Sequence, residues 1–455
     1  MAQQIYAQIR DAILDGDLAT GTQLTPSREL AAELGVSRFT VTEAYGRLAA
    51  EGYVEGQRGR GSIVAAVADP TDGRRARDRG ALQVTATAER LAPFDTDPTA
   101  AAPYDLRPGR LDPALFPTAA WRRCMAATLH HPPGAYGDPA GTDELRTTLA
   151  HWIARSRGVR ADPADLVVTS GTANAVDLVA RVMLDPGDVV AVEEPGYPPV
   201  VTLLHAHRAE VHHIPVDQHG IVVEALPSSA RMVVVTPSHQ YPTGATLSHG
   251  RRLELLAWAA RAGAAIVEDD YDTELRYTSQ PLEPLQRLDR EGRVIYVGTF
   301  SKSLSPGLRV GFAVLPPSLV RPVLTIRQAM DWCPPQATQQ ALGAFIESGQ
   351  LDRHLRRSRR VYRERRELLI DGLLERMGER ARLLPSNAGL HVTVVVDGGF
   401  PVDARRAVAG RVLVGSLRRH HHTANVRDGL VIGFGALPTT DVEPALDALA
   451  PLLAP

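Results

Sequence analysis

Of the 50 Lys and Arg residues in the chain, only Lys302 is a lysine. Arginine stays protonated at any ordinary pH, whereas a lysine can shed its proton and attack a carbonyl. A single lysine in a chain that otherwise uses arginine for positive charge therefore points to a required amine. It closes the run Gly298-Thr299-Phe300-Ser301-Lys302, just after a β-branched segment, and Pro306-Gly307-Leu308-Arg309 follows. The end of a parallel strand is where α/β folds seat ligands. Hydroxyls at Thr299 and Ser301 and the guanidinium of Arg309 suit a phosphate. Ser170-Gly171-Thr172, which follows another strand and opens a helix, suits an anion as well. Asp269 comes at the end of a third strand, with Tyr271 two residues on; a buried carboxylate facing a pyridine nitrogen would keep it protonated and make the ring an electron sink.

The elements that must position these groups can be read from pattern. From Tyr104 onward helical stretches alternate with short β-branched runs at 166–169, 189–192, 232–235, 265–267 and 294–297. That alternation predicts a largely parallel α/β sheet covered on both faces. After Leu319 the texture changes to long arginine-rich helices, one over 351–377, and then to strands near 392–396 and 430–434: a second, smaller α+β subdomain.

The 455 residues exceed what one core accommodates, so at least two domains, and three more readily, are expected. Hydrophobic content of 44% with 22% charged residues excludes wholesale disorder, collagen and coiled coil. No apolar run approaches the roughly 20 residues of a membrane helix, and no signal peptide opens the chain. Two cysteines, Cys124 and Cys333, make no disulfide framework and favour a reducing, cytoplasmic compartment. A net charge of −2 gives no global basic field, so contact with nucleic acid must rest on a local patch.

Such a patch is offered by residues 1–65. Ile5, Ile9, Ala12 and Ile13 give a first helix one apolar face. Ser27 is placed to cap a second helix over 28–34. Ser37 is placed to cap a third, running to about Ala50, with Val36 and Val41 spaced as a hydrophobic staple. Two helices around Gly35 form a helix-turn-helix signature. Segments 53–55 and 62–64 then bracket a basic, glycine-rich tip, as in a wing. The first 62 residues hold six arginines against eight acids, so position matters more than sum. Arg28 and Arg38 start helices, Arg58 and Arg60 sit on the tip, and the third helix offers Arg38, Phe39, Thr40 and Thr42 to a major groove. Residues 66–103, rich in Ala, Asp, Arg, Thr and Pro, read as a linker with a helical turn or two between 81 and 91.

Several sets of motifs occur together and in order. The Lys302 segment resembles the Schiff-base segment of fold-type I aminotransferases, enzymes that use pyridoxal 5′-phosphate. Glu268-Asp269-Asp270-Tyr271-Asp272, Glu194-Pro195-Gly196-Tyr197-Pro198 and Thr236-Pro237-Ser238-His239-Gln240-Tyr241-Pro242-Thr243-Gly244 match that family too. Pro26-Ser27-Arg28-Glu29-Leu30 with Gly35-Val36-Ser37-Arg38 and Thr40-Val41 resembles the winged helix of GntR-type repressors. The fusion resembles the MocR (GabR-like) subgroup of transcription regulators. The resemblance implies a winged helix-turn-helix over 1–65 and an aminotransferase-like α/β domain over 104–455, with a large subdomain to 320 and a small α+β subdomain from 321. It implies that Lys302 forms an internal aldimine with pyridoxal 5′-phosphate, that Asp269 pairs with its ring nitrogen, Tyr271 with its phenolic oxygen, and that Tyr197 stacks on the ring. Ser170, Gly171, Thr172, Thr299, Ser301 and Arg309 would hold the phosphate. Tyr136 matches a tyrosine that reaches the phosphate of the neighbouring subunit, implying a homodimer with shared sites. The partners implied are double-stranded operator DNA and a small-molecule effector, either pyridoxal phosphate itself, with control of vitamin B6 synthesis, or an amine or amino acid.

Two positions depart from the family pattern. Tyr241 stands where an asparagine usually touches the phenolic oxygen, with Gln240 or His239 as candidate substitutes. Val431 aligns with the arginine that clamps a substrate carboxylate, and Arg427 is the nearest replacement. Weak or absent transamination is therefore expected; the competing class is a working aminotransferase with a DNA-binding appendage. Histidines 420–422, and His205, His207, His212 and His213, have no evident acidic or thiol partner in the sequence, so solvated segments and no metal site are expected. The Arg353–366 run reads as a solvated helix face laced with Glu364 and Glu367.

Overall fold

The computed structural model describes residues 1–57, 61–66, 82–91, 101–130, 134–277, 283–400, 408–424 and 426–453. The chain forms two compact units, Met1–Thr85 and Ala86–Pro455. The boundary falls inside the expected linker, where Ala86–Arg90 forms the short helix foreseen there.

In the N-terminal unit, α1 (Ala2–Leu14), α2 (Ser27–Glu33) and α3 (Arg38–Ala50) precede strands β1 (Val54–Gln57) and β2 (Gly61–Val64). α1 buries Ile5, Tyr6 and Ile13 against Val41, Ala44, Tyr45 and Leu48 of α3. Each fully buried apolar side chain contributes roughly 1.5–3 kcal/mol. The Tyr45 hydroxyl donates to the Thr25 carbonyl at 2.7 Å and ties α3 to the approach of α2. Ser37 caps α3 as expected, its hydroxyl accepting from the Thr40 amide at 3.1 Å, and Val36 packs on the core that buries Val41. Ser27 does not cap α2: it lies inside the helix, whose N-cap is Pro26. Ser37→Ala is expected to cost about 1 kcal/mol, measured by urea unfolding of the N-terminal unit's helical signal. β1 and β2 pair antiparallel from Val54↔Val64 to Gln57↔Gly61, the hairpin expected of a wing. Arg58 and Arg60 lie outside the described residues.

The strands of the C-terminal unit are β3 (Tyr104–Leu106), β4 (Leu166–Thr169), β5 (Val189–Glu194), β6 (Glu210–Asp217), β7 (Gly220–Ile221), β8 (Met232–Val235), β9 (Ala265–Asp270), β10 (Val294–Thr299), β11 (Gly311–Val314), β12 (Ala381–Leu383), β13 (His391–Val396), β14 (Val412–Ser416) and β15 (Gly429–Gly433). The large sheet has the order β4-β11-β10-β9-β8-β5-β6-β7. β10, β9, β8, β5 and β6 pair parallel in turn, whereas β11 runs antiparallel to both β10 and β4. The sheet is thus mixed, because Lys302 is followed by a tight return through Pro306–Leu308 into β11 instead of a helical crossover. Separate apolar clusters cover its faces, Val176, Val190 and Ile295 in one and Ala191, Val233 and Leu255 in another.

A second sheet, β12-β13-β15-β14-β3, packs on helices Gln350–Arg376 and Val442–Leu453 through Leu369, Leu373, Leu446 and Leu449. β3 therefore belongs to the small subdomain, so the expected division of 104–320 from 321–455 does not hold at its start. The arginine run of the long helix is not a merely solvated face. Arg365 is buried, donating to the Gly435 carbonyl at 3.0 Å and pairing with Asp112, and Arg366 donates to the Ser386 carbonyl at 2.7 Å. Arg157, at the end of helix Asp143–Arg157, is likewise buried, between Glu274 at 3.0 Å and Asp270 at 3.5 Å.

Candidate functional site

The C-terminal ends of the parallel strands meet at one cavity of about 260 Å³. β9 delivers Asp269, β10 delivers Thr299 and, past it, Ser301 and Lys302, β5 leads to Tyr197 and β8 leads to Thr236; Gly171 and Thr172 enter from the turn after β4. Arg309 arrives from the return into β11 with φ +51°, a left-handed conformation rare for a side chain other than glycine. Gly171 has φ +117°, a conformation that favours glycine, and it lies against the Arg309 guanidinium, which a Cβ there would touch at 3.5 Å. Amides opening helix Thr172–Met183, hydroxyls and one guanidinium thus converge as an anion cradle.

Asp269 is buried, and Thr172 donates to it at 3.0 Å. Burial pushes its carboxyl up to about 7 against that hydrogen bond, with Asp270, Asp272 and Glu193 adding to the rise. Lys302 reaches the Gly109 carbonyl at 3.3 Å. Burial lowers its ammonium pKa while Asp272 and Asp269 oppose the fall, which moves the amine towards the neutral, nucleophilic form. Gly109 has φ +84°, and a Cβ on it would stand 2.6 Å from the lysine nitrogen.

Tyr271 and Tyr241 line the cavity together. The Tyr271 oxygen lies 3.0 Å from His239 Nδ1, and the same nitrogen lies 2.8 Å from Asp272 Oδ2. A carboxylate only accepts, so the Nδ1 proton is directed to Asp272. Gln240, the other candidate substitute, is spent elsewhere: its amide donates to the Pro195 carbonyl at 2.8 Å and its oxygen accepts from the Thr243 amide at 3.1 Å. His239 is the side chain that adjoins Tyr271.

Other expected residues stand outside the cavity. Ser170 does not line it; its amide donates to Asn174 Oδ1 at 3.0 Å. Arg427 is exposed and no part of the lining, and Val431 is buried in β15 against Val395 and Leu417. Neither offers a carboxylate clamp. Tyr136 is 79% exposed, with its ring 4.8 Å from that of Trp332.

His205 and His422 are exposed, as expected of solvated segments, whereas His213, His420 and His421 are not, and the acidic partner of His213 and His421 is Glu194. Glu194 accepts from His421 Nδ1 at 3.2 Å, from the amides of His422 and Thr423 at 2.9 and 3.1 Å, and lies 3.5 Å from His213. Burial alone would raise its carboxyl, but these bonds outweigh it and hold the group well below the usual range. His213 stacks on His422 at 5.0 Å, and His207 contacts Asp177 at 2.8 Å. The Gly196 amide donates to the His420 carbonyl at 3.0 Å. The small subdomain thereby holds the 194–197 loop that carries Tyr197.

In the N-terminal unit Arg28 and Arg38 are exposed, and Phe39 is 77% exposed at the start of α3. The Thr42 hydroxyl donates to the Arg38 carbonyl at 2.9 Å, and the Thr40 and Ser37 hydroxyls share a hydrogen bond of 2.8 Å. Both threonines thus serve the helix as well as its surface.

Residues 112–423 match the family model "Aminotransferase class I and II", and residues 1–64 match "Bacterial regulatory proteins, gntR family". The chain is 33% identical to the probable rhizopine catabolism regulatory protein MocR of Rhizobium meliloti, over 99% of this chain and 93% of that one. It is 33% identical to the pyridoxine biosynthesis transcriptional regulator PdxR of Corynebacterium glutamicum, over 95% and 91%. Pyrococcus horikoshii kynurenine aminotransferase superposes with a TM-score of 0.76 at 27% identity, covering 84% of this chain and 98% of that structure. The chain belongs to the MocR subgroup of gntR-type transcription regulators. A MocR-type regulator binds operator DNA through its winged helix and pyridoxal 5′-phosphate through its aminotransferase-like domain.

The residues present fit that cofactor. When bound, it supplies an aldehyde able to capture an amine. Lys302 would offer the amine, the Gly171–Thr172 turn with Thr299, Ser301 and Arg309 would hold the phosphate, and Asp269 would set an anion against the ring nitrogen. The raised Asp269 carboxyl makes a measurable claim. Its pKa is near 7 when folded against 3.8 when unfolded, so the cost of burying the carboxylate is absent below pH about 4 and full above pH about 7, on the order of 4 kcal/mol. The cofactor-free regulator is expected to lose thermal stability between pH 5 and 8. The ring N–H gives the carboxylate a partner, so the cofactor raises Tm more at pH 8 than at pH 5. Thermal scans with and without cofactor check this; Asp269→Asn should flatten the difference.

Proposed function

We propose that the protein is a cytoplasmic, homodimeric transcription regulator in which occupancy of the Lys302 cavity sets operator affinity. The observation that carries this reading is the gathering of Lys302, Asp269 and Arg309 around one cavity, on the same chain as a winged helix whose Arg28, Arg38 and Phe39 face solvent. Exposure of Tyr136, away from its own chain's cavity, supports the homodimer: it is free to reach the phosphate of a second subunit. Among the described residues no helix is long and apolar enough to cross a membrane. Transamination is not the role supported, since Val431 and Arg427 supply no clamp for an amino-acid carboxylate.

Coupling requires that the occupant favour one arrangement of the DNA-binding heads over another; equal affinity for both shifts nothing. The test is operator affinity across pyridoxal phosphate concentrations for wild type and Lys302→Ala. Wild type should respond and the variant should not. Identical curves would sink the coupling.

A further inference from the structure

The cavity has two ends of opposite character. At one end the Arg309 guanidinium and Thr299 hydroxyl both lie within 3.8 Å of where a Cβ on Gly171 would stand, and the phosphate claims that end. Among the described lining residues the cationic side chains are Arg309 and Lys302. The other end is walled by Pro108, Gly109, Tyr241, Asp272, Leu390 and His391.

That wall presents acceptors. The Gly109 carbonyl faces Lys302 at 3.3 Å. Asp272 contributes a carboxylate. His391 Nε2 lies 3.2 Å from the Pro242 carbonyl, which can only accept, so the proton sits on Nε2. Burial beside His239 pushes His391 down to about 3, so it is neutral and its Nδ1 is a bare acceptor. A carboxylate brought to this wall would meet an anion and lone pairs, with the Tyr241 hydroxyl as its one side-chain donor and no guanidinium among the described residues that form the wall. An ammonium or hydroxyl would find partners.

We infer that the effector taken beside the cofactor is a primary amine carrying hydroxyl or further amino donors and no carboxylate. The inference rests on the reading of the cavity as a pyridoxal phosphate sensor and adds the class of its second ligand. Asp272 and His391 are the residues that set the preference.

Titration of the cofactor-loaded full chain, followed by its visible absorption band, tests this with three matched pairs: ethanolamine and L-serine, cadaverine and L-lysine, tyramine and L-tyrosine. Members of a pair differ by the carboxylate alone. Each amine is expected to perturb the band with half-saturation about tenfold or more below that of its amino acid. Amino acids acting at equal or lower concentration overturn the inference, as does a band that no amine perturbs. Absence of any band after adding pyridoxal phosphate fails the sensor reading itself, so the two failures are distinct. In Asp272→Asn the ratio within each pair should narrow several-fold, whereas a merely structural role would weaken both members equally and leave the ratio unchanged. That unchanged ratio would remove Asp272 from the account.

Discussion

Lys302→Ala is expected to abolish the visible band of the lysine-bound cofactor, and borohydride treatment should leave no cofactor attached to the polypeptide. The chain contains no second lysine to take over, so the loss should be complete rather than partial. Anchoring would then rest on the phosphate cradle and Asp269 alone, and affinity for pyridoxal phosphate should fall about 100-fold or more, equivalent to about 2.7 kcal/mol. Absorbance, intact mass after reduction and equilibrium dialysis measure the three quantities. Arginine at this position would keep the charge and lose the nucleophile, so Lys302→Arg should share the phenotype. A retained covalent adduct in either variant would contradict the geometry. Thermal stability of the cofactor-free protein should fall little, since Lys302 makes a single hydrogen bond of 3.3 Å.

Arg157→Met is expected to have the largest effect on stability, a loss of about 3–5 kcal/mol. The guanidinium is buried between the Glu274 and Asp270 carboxylates, and the Tyr296 hydroxyl donates at 2.6 Å to the same Asp270 oxygen that Arg157 faces. Removing the cation leaves two buried carboxylates without the guanidinium that stands between them. Adding Glu274→Gln should recover part of the loss by removing one of them. Urea unfolding of the C-terminal unit, followed at a wavelength reporting its core, measures both. The effect also reaches the site: Asp270 directly follows Asp269 on β9, so cofactor affinity should fall alongside stability.

The cofactor end of the cavity was legible because its residues lie in short contiguous segments at strand ends, where β-branched runs announce the strand and the residues after it fall at the site. Lys302, Asp269, Thr172 and Arg309 line the cavity and Ser170 does not, since the pattern cannot tell which of three adjacent residues faces inward. What sequence could not show depends on contacts between distant segments. Glu194 meets His421 across 227 positions, so those histidines read as solvated. Arg365 and Arg366 read as surface charge because their partners come from other elements, and the partners of Arg157 are as distant in sequence. β3 (Tyr104–Leu106) and β11 (Gly311–Val314) carry no β-branched run of the kind that marks β4 and β8, and β11 turns an expected parallel sheet into a mixed one. His239 had a signal, its place in the 236–244 segment, but only geometry separates it from Gln240.

β3 is the edge strand of the small-subdomain sheet and the first paired strand after the segment leading out of the N-terminal unit. Its last residue, Leu106, is buried; Pro108 and Gly109, two and three positions later, form the cavity wall against Lys302. One short stretch thus serves two masters: its first residues complete the edge of a sheet and its last ones close the lysine's cavity.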